Sequence, residues 1–211
     1  MQVTADVTQN DIERANRSRP FAQAFRPRGG GLRTLLRTLL LCLLAPAAVA
    51  AAQDSPLSAG QRWVYGGLKD ILLRSAEKMP EEHYGFRPTA AVRSFGQIVG
   101  HVADSQYAFC SIVLGQANPA PGVEQTRTAK ADLIAALKDA FAYCDRAYEG
   151  MTDASAAQTV KFFGAERPKL SVLMVNTAHG TEHYGNLATY LRMKDLVPPT
   201  SEPPASPQPR N

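Results

Sequence analysis

Four histidines occur in this 211-residue chain, and two of them, His179 and His183, stand four apart in the run NTAHGTEHYGNLATYLRM, residues 176–193. At about 100° per residue this spacing stacks both rings one turn apart on one face of an α-helix, which is a metal-chelating geometry. Asn176 and Asn186 share that face, and Val172, Leu173, Leu187 and Leu191 supply apolar surface beside it. Buried imidazole and amide groups cost free energy unless something satisfies them, and a metal ion would do so. The other two histidines are weighed as the third ligand. His101 lies in SFGQIVGHVADSQYAFCSIVLG with Ile98, Val102, Ser105, Phe109 and Ile112 at helical spacing around it, so it is placed toward a core. His83, in MPEEHYGFRP, falls among charges and turn residues and reads as a solvated bystander. His101, His179 and His183 are therefore the expected metal ligands. Three nitrogen donors that leave a coordination position open for water or substrate are the pattern of a catalytic rather than a closed structural site. The expected cofactor is a divalent cation, zinc or nickel first, with iron and manganese fitting the same donors.

Two carboxylates are the expected catalytic assistants. Asp104 follows His101 by about one turn and could orient a ligand or accept a proton; Glu182 precedes His183. Each is weighed against an ordinary solvated helix carboxylate. With Glu182 the run also spells H-x-x-E-H, the signature of inverted zinc proteases, in which the Glu is the base and a distant carboxylate is the third ligand. That reading ranks lower, because Glu182 is turned about 60° from His179 around the helix and His101 offers a ready third nitrogen.

The elements that would position these groups are helical. Ser58 and Gln61 form a capping-box pattern ahead of Val64, Leu68, Ile71 and Leu72, which predicts a helix over 57–79 stopped by Pro80. A loop packed by Tyr84 and Phe86 follows. Ser94 and Gln97 repeat the box and open a second helix, which carries His101 and ends near Gly115. QANPAPGVEQTR is Pro- and Gly-punctuated loop. A third helix runs from about Thr128 to Gly150 on the face of Leu133, Leu137, Ala140, Phe141, Cys144 and Tyr148. A connector with one short helical turn and an extended piece leads to Pro168, which suits the start of the fourth helix, ending near Met193. No alternating strand pattern stands out. The expected fold is all-α, a four-helix bundle.

The ends of the chain have a different character. Residues 39–52 are an unbroken apolar run behind Arg33 and Arg37 that ends in small residues, the pattern of a secretory signal with cleavage after Ala50. Residues 1–52 are thus read as an extension plus export signal, 53–197 as the bundle, and 198–211, which hold six prolines, as a disordered tail. Export to the periplasm or outside the cell follows. The formal charge of +4 belongs to the leader, since residues 1–50 hold seven arginines against three acids and the remainder balances. The neutral mature chain gives no support for nucleic-acid binding, which would need a concentrated basic face, and its apolar stripes are of core width, so no membrane partner is expected after cleavage. Cys110 and Cys144 fall on different helices; export favours a bridge, burial would equally suit two small apolar thiols, and both readings stay open.

One histidine midway in the second helix, H-x-x-x-H in the fourth, RPT between the first two helices and HYGNLATYLR near the end together resemble the DinB-like superfamily, which includes bacillithiol- and mycothiol-dependent transferases. The resemblance covers roughly residues 56–199. It implies an up-down-down-up bundle, a divalent metal on His101, His179 and His183, and a homodimer. Where many members carry Arg-Gly-Gln after the last histidine, this chain has Tyr184, Gly185 and Asn186. The expected function is a metal-dependent enzyme acting on an unidentified small molecule, with hydrolysis preferred. The alternatives are a non-catalytic metal- or ligand-binding or stress module, and thiol-dependent S-transfer.

Overall fold

In a computed structural model, residues 55–203 are described. The expected leader and residues 204–211 of the expected tail lie outside them. The chain divides into two units, Met1–Ala50 and Ala51–Asn211, and all described residues belong to the second. Its elements are α1 (Pro56–Lys78), a 3-10 turn (Glu81–His83), α2 (Phe95–Leu114), the single-turn α3 (Val123–Thr126), α4 (Lys130–Glu149), the short α5 (Asp153–Ala156), strands β1 (Thr159–Phe162) and β2 (Ala165–Pro168), α6 (Lys169–Arg192) and a last 3-10 turn (Pro199–Ser201). None of the described helices is long and apolar enough to cross a membrane.

Four long helices, α1, α2, α4 and α6, form the bundle, and contacts between them fix their directions. Tyr65 donates to the Phe141 carbonyl while Lys130 reaches the Met79 carbonyl, so α1 and α4 run antiparallel. Tyr190 donates to the Arg93 carbonyl while Asn176 meets Gln106, so α2 and α6 are also antiparallel. Gly96 lies against Leu133 and Cys110 against Cys144, which makes α2 and α4 parallel; Gln61 against Thr177 and Leu68 against Gly180 do the same for α1 and α6. Along the chain the long helices thus run up, down, down, up. The interior is filled by Leu72, Phe95, Leu137, Phe141, Tyr148, Leu173, Leu187 and Leu191, all fully buried, each contributing on the order of 1.5–3 kcal/mol by leaving water.

Helix boundaries show which local signals acted. The Ser94–Gln97 capping box is present with both of its hydrogen bonds, and Gly115 closes α2 at φ 66°. The Ser58–Gln61 box is not formed. Pro56 occupies the first turn, which places Ser58 inside the helix, and the amides of Leu57 and Ser58 donate instead to the Asp153 carboxylate at 3.2 and 2.8 Å. Gln61 is spent on α6, donating to Thr177 Oγ1.

Two further expectations change. The extended piece ahead of α6 is an antiparallel hairpin, β1 on β2, turned by Phe163 and Gly164 at φ 47° and 78°. Both turn residues are left-handed, as a two-residue hairpin requires, but Phe-Gly in place of Asn-Gly hides the signal. The proline-rich segment, expected to be disordered from 198, is packed as far as Glu202. Pro199 is buried, Thr200 meets the Tyr184 hydroxyl at 2.7 Å, and Glu202 pairs with Arg74 and Lys78.

Cys110 and Cys144 are joined in a disulfide between α2 and α4, with Cα atoms 5.3 Å apart and both residues fully buried. Closing a loop of sequence separation 34 removes unfolded-state entropy corresponding to about 4 kcal/mol. Denaturation with and without reductant should show a loss of that order on reduction. Two reactive thiols in the denatured, unreduced protein would contradict the bridge.

Candidate metal centre

His179 and His183 stand one turn apart on α6, their Nε2 atoms 3.0 Å from each other. The antiparallel α2 brings His101 across from them, its Nε2 3.2 Å from that of His179. The ligand atoms of all three lie within 4.8 Å of one another. Nitrogens bound to one ion at about 2.0–2.1 Å, with angles between 90° and tetrahedral, sit about 2.9–3.4 Å apart. The two short contacts therefore have the spacing of donors around a shared cation, and these three histidines could bind a metal ion. Without one, His179 Nε2 faces two other ring nitrogens and can share at most one proton with either.

His101 is backed by a residue that sequence reasoning missed. Glu124 Oε2 lies 3.1 Å from His101 Nδ1, so a proton on Nδ1 donates to the carboxylate and leaves the Nε2 lone pair for the cluster. Glu124 sits in the segment expected to be plain loop, and the structure holds it from three sides. Asp104 accepts the backbone amides of Gly122, Val123 and Glu124 at 2.9, 2.7 and 2.9 Å, capping α3. Arg93 Nε donates to Glu124 Oε1 at 2.8 Å. Gly100 lets the two backbones meet, since a Cβ there would lie 2.8 Å from the Glu124 Cα. The one cue in the sequence was chemical: a ligating histidine generally needs an acceptor for its other nitrogen, and Glu124 is a carboxylate two residues after Gly122.

The other expected residues divide. Asp104 serves orientation at one remove, because its oxygens are taken up by the amides of α3 rather than by a histidine. Glu182 is exposed and lines a cavity of about 570 Å³ together with His183, Asn186, Arg87, Arg93 and Gln97. Asn186 lies 3.5 Å from His183 Nδ1. Asn176, expected to need the metal, is instead fully buried and donates to Gln106 and Tyr148 at 2.9 and 3.0 Å. His83 is no part of the cluster. The third position that the H-x-x-E-H reading gives to a distant carboxylate is taken by His101.

Burial, followed by the neighbouring rings of His179 and His101, pushes His183 down to about 4. Burial and then His101 lower His179 as well, with Glu182 opposing. Both rings are thus neutral at pH 7, as metal donors must be. In the unfolded chain they titrate near 6.5, so between that value and about 4 the unfolded state binds more protons. The metal-free protein should accordingly lose stability as pH falls from about 6.5 toward 4 and show no such dependence above, checked by denaturant midpoints across pH. Replacing Glu124 with Ala should weaken metal binding about 10–100-fold with the fold retained, measured calorimetrically beside circular dichroism.

With this geometry established, comparison with known proteins is consistent at every level. The model of the DinB superfamily matches residues 68–187, more than half of the chain. The uncharacterized protein YjoA of Bacillus subtilis (strain 168) is 23% identical over 127 residues, which span 59% of this chain and 82% of YjoA. A DinB-like protein from Bacillus cereus ATCC 10987 superimposes with a TM-score of 0.61 at 15% identity, covering 67% of this chain and 95% of that one. The crystal structure of YjoA superimposes at 0.55 with 22% identity, covering 65% and 93%. These likenesses carry the fold, and the family match carries membership: the chain belongs to the DinB superfamily.

Proposed function

We propose that this protein is an exported, divalent-metal-dependent enzyme that acts on a small molecule, with hydrolysis the favoured chemistry. The observation that carries this reading is the convergence of the three Nε2 atoms beside an open cavity. Zinc or nickel suits the donors best, and iron or manganese also fits. A divalent cation held there would supply Lewis acidity toward a water or a substrate oxygen. The chain's own residues do the rest. Glu124 fixes the ring of His101, and Asp104 and Arg93 fix Glu124. Glu182 is the carboxylate on the cavity wall available to take up or deliver a proton.

Export is supported by the apolar leader and by the Cys110–Cys144 bridge, which suits an oxidising compartment. The same compartment argues against thiol transfer as in cytosolic relatives. A purely binding role would show metal uptake with no turnover for a Glu182 variant to lose.

Elemental analysis of the exported protein, with its intact mass, tests the reading. One divalent ion per chain and cleavage near Ala50 are expected, with the ion lost in His101→Ala. Glu182→Gln should retain the ion while lowering turnover about 10²–10⁴-fold. A wild-type chain without stoichiometric metal removes the enzyme reading.

A further inference from the structure

We propose that the cavity beside the histidine cluster takes a small anionic ligand, its carboxylate or phosphate group held by Arg87 and assisted by Arg93; this rests on reading the site as a metal centre and specifies its substrate class. The cavity, about 570 Å³, is of the size that small-molecule sites use. Its wall carries two guanidinium groups and two carboxylates, Arg87 and Arg93 against Glu124 and Glu182. The distribution of partners breaks this balance. Glu124 is engaged by Arg93 Nε and by His101 Nδ1. Arg93 keeps both terminal nitrogens without a partner among the described residues, and Arg87 makes no hydrogen bond or ion pair there at all. A guanidinium stays charged at any working pH and offers a fork of donors that matches a carboxylate or phosphate two bonds at a time. With a divalent cation on the histidines, the wall carries two positive charges in excess.

A solvated arginine on a loose loop would mean little, but the backbone around Arg87 is fixed. The Phe86 amide donates to the His83 carbonyl at 3.0 Å, and the Phe86 carbonyl accepts from Phe95 at 2.9 Å at the start of α2. The Phe86 ring packs edge-on to Tyr190 of α6, with the Lys194 ammonium 4.0 Å from its centre. Pro88 restricts the next step of the chain. Arg93 is tied down likewise, its carbonyl accepting from the Tyr190 hydroxyl at 3.0 Å. Two exposed guanidinium groups with free donors, carried on fixed backbone, thus share one cavity with His183, the arrangement that would hold an anionic substrate by its charged end.

The test is a heteronuclear NMR titration of metal-free and zinc-loaded protein with inorganic phosphate, acetate and uncharged acetamide at constant ionic strength. Zinc-loaded wild type should bind phosphate or acetate and not acetamide. Arg87→Ala should weaken the anion about 10–100-fold while zinc affinity stays unchanged, and Arg87→Lys should recover part of it. Tighter phosphate points to a phosphate ester as substrate, and tighter acetate to a carboxylate. Zinc uptake with anion binding indifferent to Arg87, or acetamide bound as well as acetate, overturns the proposal and leaves the metal reading standing. If zinc is not taken up but the metal-free protein binds the anion through Arg87, the metal reading fails and the anion site stands.

Discussion

Three imidazole nitrogens held within a few ångströms of one another are the constraint to which the rest of this protein answers. Partly buried and facing each other, they have no proton arrangement that satisfies all three, and a cation that accepts three lone pairs at once would relieve that tension. Holding them there demands that α2 and α6 stay in register. Antiparallel packing, the Gln106–Asn176 pair below the cluster and the Tyr190–Arg93 bond above it supply that register.

The support behind His101 shows how a small helical protein orients a ligand with few residues. A glycine, Gly100, removes the side chain that would hold the α3 segment away from α2. Asp104, one turn on, gathers the first amides of that segment, and the carboxylate of Glu124 comes to rest against the imidazole. Because Glu124 is shared with Arg93, the same ion pair connects the ligand's orientation to the wall of the cavity. Glu124 therefore links the interior of the bundle to its open face.

Elsewhere the fold is secured by contacts between distant parts of the chain. The Cys110–Cys144 bridge joins the parallel helices α2 and α4, and Asp153 caps α1 from beyond the end of α4. The segment after α6 folds back so that the Tyr184 hydroxyl meets both the side chain and the backbone amide of Thr200. Tyr184 thus serves packing, as one of the buried residues of the core.

What the sequence determined by itself was whatever depends on short-range geometry. The helical period placed the four long helices, the Ser94–Gln97 box and Gly115 bounded α2, and the four-residue spacing of His179 and His183 required a shared face. His101 could be chosen as their companion because its apolar neighbours committed its face to the interior. Only the tertiary structure decided the matters that depend on where separate segments meet. It gave Glu124 to His101 across 23 residues, Asn176 to Gln106 rather than to the cluster, and Asp153 rather than Ser58 to the start of α1. The hairpin at Phe163 and the docking of Pro199 belong with these, since each is stabilised by partners that no local window contains. A spacing along one helix is set by covalent geometry, whereas a contact between elements exists only after the chain has packed.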